Sequence, residues 1–259
     1  MKKKIGKVIL YLVLLLSFHL SIAQHGDTLR TADSTLYLLS HSSTGIINYT
    51  NISRSYLLNN LFKFNIIRKR LSFNTANSWV YGSQLTGITN NDYNSYADLD
   101  YLKAVQRFYY WGLLNYDKSY SLRIYDRLQT GAGVGYSVLT NPKYSLVLSD
   151  GFLYEYVHLY DIPEFYNTPY YSTVRNSLRI KYHVEIGKIL VFDGMNFWQP
   201  SLLSKEDYIV KLNNSLSLKI KRWLSFTVAT TYNKLNISKT ENFLCTIGLT
   251  FQKTFVVKK

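Results

Sequence analysis

In several segments of this sequence ionisable side chains fall on alternate positions. Arg175, Arg179, Lys181, His183 and Glu185 alternate with Leu178, Ile180, Tyr182, Val184 and Ile186. Lys211 and Lys219 alternate with Val210, Leu212, Leu216 and Leu218. Asp98 and Asp100 alternate with Ala97, Leu99 and Tyr101, and Glu155 lies between Tyr154 and Tyr156. In an extended chain successive side chains point to opposite faces, so each charged set shares one face. If the strands close into a barrel, that face lines the lumen. Opposite charges there either pair into a plug or leave a lined channel whose charge selects ions. Each charge needs a partner or water, because a buried unpaired charge is expensive. Asp98, Asp100, Glu155, Arg175, Arg179, Lys181, His183, Glu185, Lys211 and Lys219 are therefore the candidate lumen residues.

Other chemistry is weakly supported. Of five histidines, His19 falls in the leader, and His25, His41, His158 and His183 show no metal-ligand spacing. A barrel-embedded lipid hydrolase would set a serine beside His183 or His158 on a neighbouring strand, but no motif selects the serine. No catalytic, metal or cofactor-binding residue is assigned, and no cofactor is expected. Gly131, Gly133 and Gly135 lack the Gly-Lys-Ser/Thr ending of a phosphate loop. Alternate glycines bare one face of a strand and permit close approach by interior groups. The one cysteine rules out a disulfide framework within the chain.

These side chains must be positioned by strands. About twelve segments read with period two, mostly some 10 to 14 residues long. Strands of soluble proteins usually run about five or six residues, whereas crossing a bilayer at a tilt takes about 9 to 11. The connections also alternate. Arg68-Lys69-Arg70, Thr140-Asn141-Pro142-Lys143, Gly187-Lys188 and Lys221-Arg222 read as tight turns. Between them lie longer stretches at 84–91, 118–127, 159–170 and 200–206. Short periplasmic turns and longer outer loops are the layout of an outer-membrane barrel. Gly45 to Asn51 reads as a poor strand, with too short a connection at Ile52-Ser53. The chain has 24 Tyr, 13 Phe and 4 Trp. Tyr154, Tyr156, Tyr160, Phe165, Tyr166, Tyr170 and Tyr171 bunch at one strand end, as do Trp79 with Tyr81 and Phe197 with Trp198. That suits girdles at a bilayer interface.

The first 23 residues read as a secretory signal, with Lys2, Lys3, Lys4 and Lys7, an apolar run from Val8 to Leu16, and Ser21-Ile22-Ala23 before the cut. The run is too short for a spanning helix. The domain reading is signal 1–23, an N-terminal periplasmic segment 24–43, and a barrel 44–259. The formal charge is +14. Nucleic-acid binding would gather it into a stripe. Here Arg68, Lys69, Arg70, Lys143, Lys188, Lys221 and Arg222 sit in the tight turns instead, where they meet anionic headgroups or solvent.

Gly131-Ala132-Gly133-Val134-Gly135-Tyr136, followed by the strand from Tyr144 to Tyr156, resembles the core of the salt-induced outer-membrane protein family, a domain family of unknown function (DUF481). Ser172-Thr173-Val174-Arg175-Asn176-Ser177-Leu178-Arg179 is similar to it too. So are Trp198-Gln199-Pro200-Ser201-Leu202, Glu206-Asp207-Tyr208 and Thr246-Ile247-Gly248-Leu249-Thr250-Phe251. The resemblance implies an outer-membrane barrel with no assigned activity, of a kind found in Bacteroidota-like bacteria, which the Ala23-Gln24 junction suits. Such barrels often end on an aromatic residue, whereas Val256-Val257-Lys258-Lys259 follows Phe255 here.

The expectation is an all-β protein, a closed antiparallel transmembrane barrel of about twelve strands, exported to the bacterial outer membrane with a structural or narrow-pore role. Its partners would be outer-membrane lipid and, during insertion, the barrel-assembly machinery. A periplasmic or secreted all-β ligand-binding protein is the alternative, and a lipid hydrolase a further one.

Overall fold

Two-residue alternation runs through the whole molecule. In the computed structural model, which describes residues 34–102, 107–141, 143–164 and 166–258, all regular structure is extended. The strands are β1 (Ser34–Tyr49), β2 (Arg54–Arg68), β3 (Leu71–Gln84), β4 (Gly87–Leu102), β5 (Phe108–Ser119), β6 (Ile124–Thr140) and β7 (Tyr144–Leu159). They continue as β8 (Tyr170–Asn176), β9 (Leu178–Ile186), β10 (Leu190–Pro200), β11 (Tyr208–Lys221), β12 (Leu224–Leu235) and β13 (Thr240–Lys258). Apart from β8 and β9, strands adjacent in sequence pair antiparallel, and β1 pairs with β13 to close the ring. β8 and β9 are one stave interrupted at Ser177. Both pair with β7, and the Ser177 N–H donates to the Gly151 carbonyl at 2.8 Å. The ring therefore has twelve staves, closed by the β1–β13 pairing.

The apolar rows face outward. Phe243 is 66% exposed and Phe152 60%, and Tyr154, Ile247 and Leu148 stand in the same outer wall. In water so broad an exposed apolar surface would drive aggregation; against hydrocarbon it is matched. Tyr154, Tyr156, Tyr160 and Tyr170 keep to the outside. Tyr171 and Tyr166 do not: they turn inward and stack with ring centroids 4.4 Å apart. Phe165 lies outside the described residues. Trp198 faces out and Phe197, one residue earlier, faces the lumen between Arg179 and Lys211.

The rims differ. The end carrying both barrel termini holds the turns after β2, β6, β9 and β11, so the basic residues Lys69, Arg70, Lys143, Lys188 and Arg222 share one rim. Lys69, Lys188 and Gly187 adopt positive φ (50°, 62° and 61°), the signature of tight hairpins.

Three expectations are corrected here. The barrel starts at Ser34 and not at residue 44, because β1 pairs with β13 and β2 from that point. The weakly alternating 45–49 stretch is the far end of the same strand, carried by the neighbour it pairs with. The outer connections at 84–91 and 118–127 are short. Leu85-Thr86 alone separates β3 from β4, with Gly87 at φ 128°, and only four residues separate β5 from β6. Thr89 and Asn90 belong to β4 and Arg127 to β6, so strand takes up much of both stretches although their composition is that of a loop. The signal and residues 24–33 lie outside the described residues.

Candidate functional site

The lumen is the site, and its far half is filled. Arg175 on β8 donates to Glu155 on β7 at 2.6 Å and to both Asp207 carboxylate oxygens at 2.8 and 2.9 Å. All three side chains are fully buried. Gln129 donates to Glu155 at 2.6 Å, and Arg127 grips Asp117 through Nε at 2.9 Å and Nη2 at 2.5 Å. Lys211 faces Asp117, Glu155 and both guanidinium groups. Three cations thus face three carboxylates, which meets the demand that buried charges be compensated.

Midway down, Arg179 on β9 reaches Asp98 on β4 at 3.0 Å, donates to Ser149 at 2.9 Å and to the Tyr109 hydroxyl at 3.2 Å, and lies over the Trp111 ring. The glycine run permits this. A Cβ on Gly133 or Gly151 would come within 2.6 or 2.5 Å of Trp111 Cζ2, and one on Gly135 within 2.1 Å of the Tyr109 ring. The glycines are a bare floor on which two interior aromatics rest.

The half nearest the terminal rim is open to water. His183 Nδ1 lies 2.7 Å from Asp193 Oδ1, and Lys219 donates to Glu185 at 2.8 Å. Lys63 on β2 and Lys181 on β9 are exposed within the lumen, and Lys63 feels both Lys181 and Asp193 from the opposite wall. Asp100 adjoins Asp98 and accepts from Asn74 at 3.4 Å.

A cap closes the far mouth. The tip of the β5–β6 hairpin folds across it. The Ser121 N–H and Oγ donate to Asp92 on β4 at 3.0 and 2.7 Å, while Asn242 on β13 donates to Ser121 Oγ at 2.8 Å. Thr240 Oγ1 donates to the Leu122 carbonyl at 3.2 Å. Leu122 packs with Ile124, Val157, Leu159, Tyr171, Ile209, Leu235 and Ile237 in one apolar cluster. Two exposed ion pairs brace the rim. Arg123 holds the Asp161 carboxyl below the ordinary range by hydrogen bonding at 2.8 Å, and Lys239 does the same to Glu164 at 2.5 Å.

All ten sequence-derived residues face the lumen, but they divide between layers. Glu155, Arg175 and Lys211 belong to the sealed half. Asp98, Asp100 and Arg179 make the middle bridge. Lys181, His183, Glu185 and Lys219 line the open half. The sequence reading missed Arg127, Asp117, Gln129, Asp207, Lys63 and Asp193, although the alternation that selected Arg175 also places them inward. His158 stands on the outer face, stacked on Tyr170 at 4.0 Å. His183 has Ser145 as its cross-strand neighbour on β7, and its described hydrogen bond is to Asp193.

A closed antiparallel ring with an apolar outside and an ion-paired inside is an outer-membrane-type β-barrel. The chain belongs to the family described as "Protein of unknown function, DUF481", which matches residues 62–250. None of the curated proteins matches it. Among solved structures it is similar to the NanC porin, at TM-score 0.50 and 8% identity, covering 82% of this chain and 98% of that one. It is also similar to the KdgM porin, at 0.44 and 10%, covering 83% and 98%. The translocator domain of the autotransporter NalP from Neisseria meningitidis matches at 0.47 and 10%, covering 96% and 97%.

Proposed function

We propose that this chain is a narrow outer-membrane pore, shut at its far mouth in this conformation, with a water-filled vestibule at the rim that carries the termini. The supporting observation is the division of the lumen: a sealed, charge-compensated half above a half in which Lys63 and Lys181 stand exposed. Barrels of this kind keep their termini in the periplasm, so the vestibule opens there and the cap faces outward. Export through a signal cleaved after Ala23, insertion by the barrel-assembly machinery, and outer-membrane lipid as the surrounding partner belong to the same reading. The basic rim then lies against the headgroups of the inner leaflet. The exposed lysines give the vestibule a preference for anions.

Planar-bilayer recording tests the proposal. Wild type is expected to show rare, brief, anion-preferring openings. Lys63→Ala with Lys181→Ala should reduce that preference. A silent trace from wild type and from cap variants alike would leave a structural barrel, the reading that the fully buried Arg175 network favours. Protein that stays soluble without detergent, with no heat-dependent shift in gel mobility, would end both.

A further inference from the structure

One seam of the ring is incomplete. β1 and β13 pair from Ser34↔Lys258 to Gly45↔Ile247 and stop there. Yet β1 continues to Tyr49, paired with β2, and β13 begins at Thr240, paired with β12. At the far rim every other neighbouring pair of strands holds register to the end of at least one partner. Residues 46–49 and 240–246 therefore face each other as two unpaired edges, with the Thr44–Thr246 hydroxyl contact of 2.8 Å at the fork. The cause is visible at the root of β13. Thr240 and Asn242 are engaged with Leu122 and Ser121 of the opposite hairpin, and Ile237 is buried in the apolar cap. The stretch is drawn inward over the mouth and away from β1. Ile47 and Tyr49 on the abandoned lip are left 77% and 67% exposed.

The existing register, continued, gives Ile46↔Thr246, Ile47↔Cys245, Asn48↔Leu244 and Tyr49↔Phe243. That pairing would set Ile47 beside Cys245 and Tyr49 beside Phe243 on the lipid face, and give the free backbone groups partners. Thr240 and Asn242 hold the root of β13 over the mouth, and residues 243–246, drawn along with them, cannot at the same time lie against β1. We infer that the β1–β13 seam is the moving part that gates the barrel: when Thr240 and Asn242 leave the β5–β6 tip, β13 zips onto β1 and the mouth opens. This rests on the pore reading for its purpose but not for its test.

Cys245 is the chain's single cysteine, so Ile47→Cys creates one pair that meets only in the zipped register. In full-length protein folded in membranes, oxidation is expected to join Cys245 to the new thiol. Adding Asn242→Ala should speed this roughly fivefold, the effect of losing one hydrogen bond. Tyr49→Cys, two residues out of register, should join far more slowly. Once joined, the amides of the 120–123 tip should exchange hydrogen faster, since the tip keeps Asp92 and Ser119 but loses its hold on Thr240 and Asn242. Absence of the Ile47→Cys cross-link in folded protein carrying Asn242→Ala overturns the inference. Equal rates for Ile47→Cys and Tyr49→Cys would mean fraying and also overturn it, as would unchanged amide exchange after joining. Conductance reports separately: a barrel that zips, loosens its cap and yet never conducts defeats the pore reading alone.

Discussion

Arg179 on β9 meets Asp98 on β4 at 3.0 Å, across the interior face of β5, β6 and β7. Eighty-one residues separate them in sequence. The guanidinium lies over Trp111, and Trp111 lies on the bare backbone of Gly133 and Gly151. An ion pair thus bridges the lumen because three neighbouring strands offer it a low floor.

The floor can be raised one methyl at a time. Gly133→Ala should destabilise the folded barrel by about 1–3 kcal/mol, the usual effect of overpacking a filled interior. Trp111→Leu in the same chain should recover part of that loss, since the two sites share one space. The midpoint of denaturant unfolding in detergent micelles measures both.

Arg175 presents a sharper contrast. Arg175→Met alone takes the cation from buried Asp207, leaves Glu155 to Gln129 and Lys211, and should cost about 3–5 kcal/mol. Combining it with Glu155→Gln and Asp207→Asn should restore most of the stability. If the single and triple variants unfold together, the network is not what fills the far half.

Asp150 is a misfit in the outer wall. Asp150 faces lipid between Leu148 and Phe152, and its described partner is Asn176 at 2.8 Å. A charge on the lipid side is unfavourable, so Asp150→Val should raise the unfolding midpoint. A fall would mean that Asp150 meets another protein or a cation in the membrane.

Acid should loosen the rim. Glu164 and Asp161 are both held below the ordinary carboxylate range, by Lys239 and Arg123. A depressed carboxyl contributes its stabilisation above its unfolded pKa and loses it as pH falls through the folded one. Hydrogen exchange in the 160–169 loop should therefore quicken as pH drops below the usual carboxylate range. Because both pairs are exposed, added salt should blunt the effect. Glu164→Gln should remove its share of the pH dependence.

The mature chain should begin at Gln24, which N-terminal sequencing of protein from the outer-membrane fraction would show. An intact N-terminus would mean that residues 1–23 stay as an anchor.

The inward or outward direction of each side chain was legible from the sequence because strand alternation is a local property: knowing that Arg179 and Ile180 are extended already puts them on opposite faces. The same rule marked Gly131, Gly133 and Gly135 as one bare face before their aromatic neighbours were known. Which inward residues meet was not legible, because that depends on the stagger of twelve staves around a ring. Asp98 and Arg179 are joined only by that stagger, and so are Asp207 and Arg175. The cap escaped notice for the same reason. Ser121 and Leu122 look like ordinary turn residues, and only closure of the ring brings them under Thr240 and Asn242. The alternating pattern decided the two surfaces of the wall, while the tertiary structure decided that its lumen is sealed at one end, wet at the other and split along one seam.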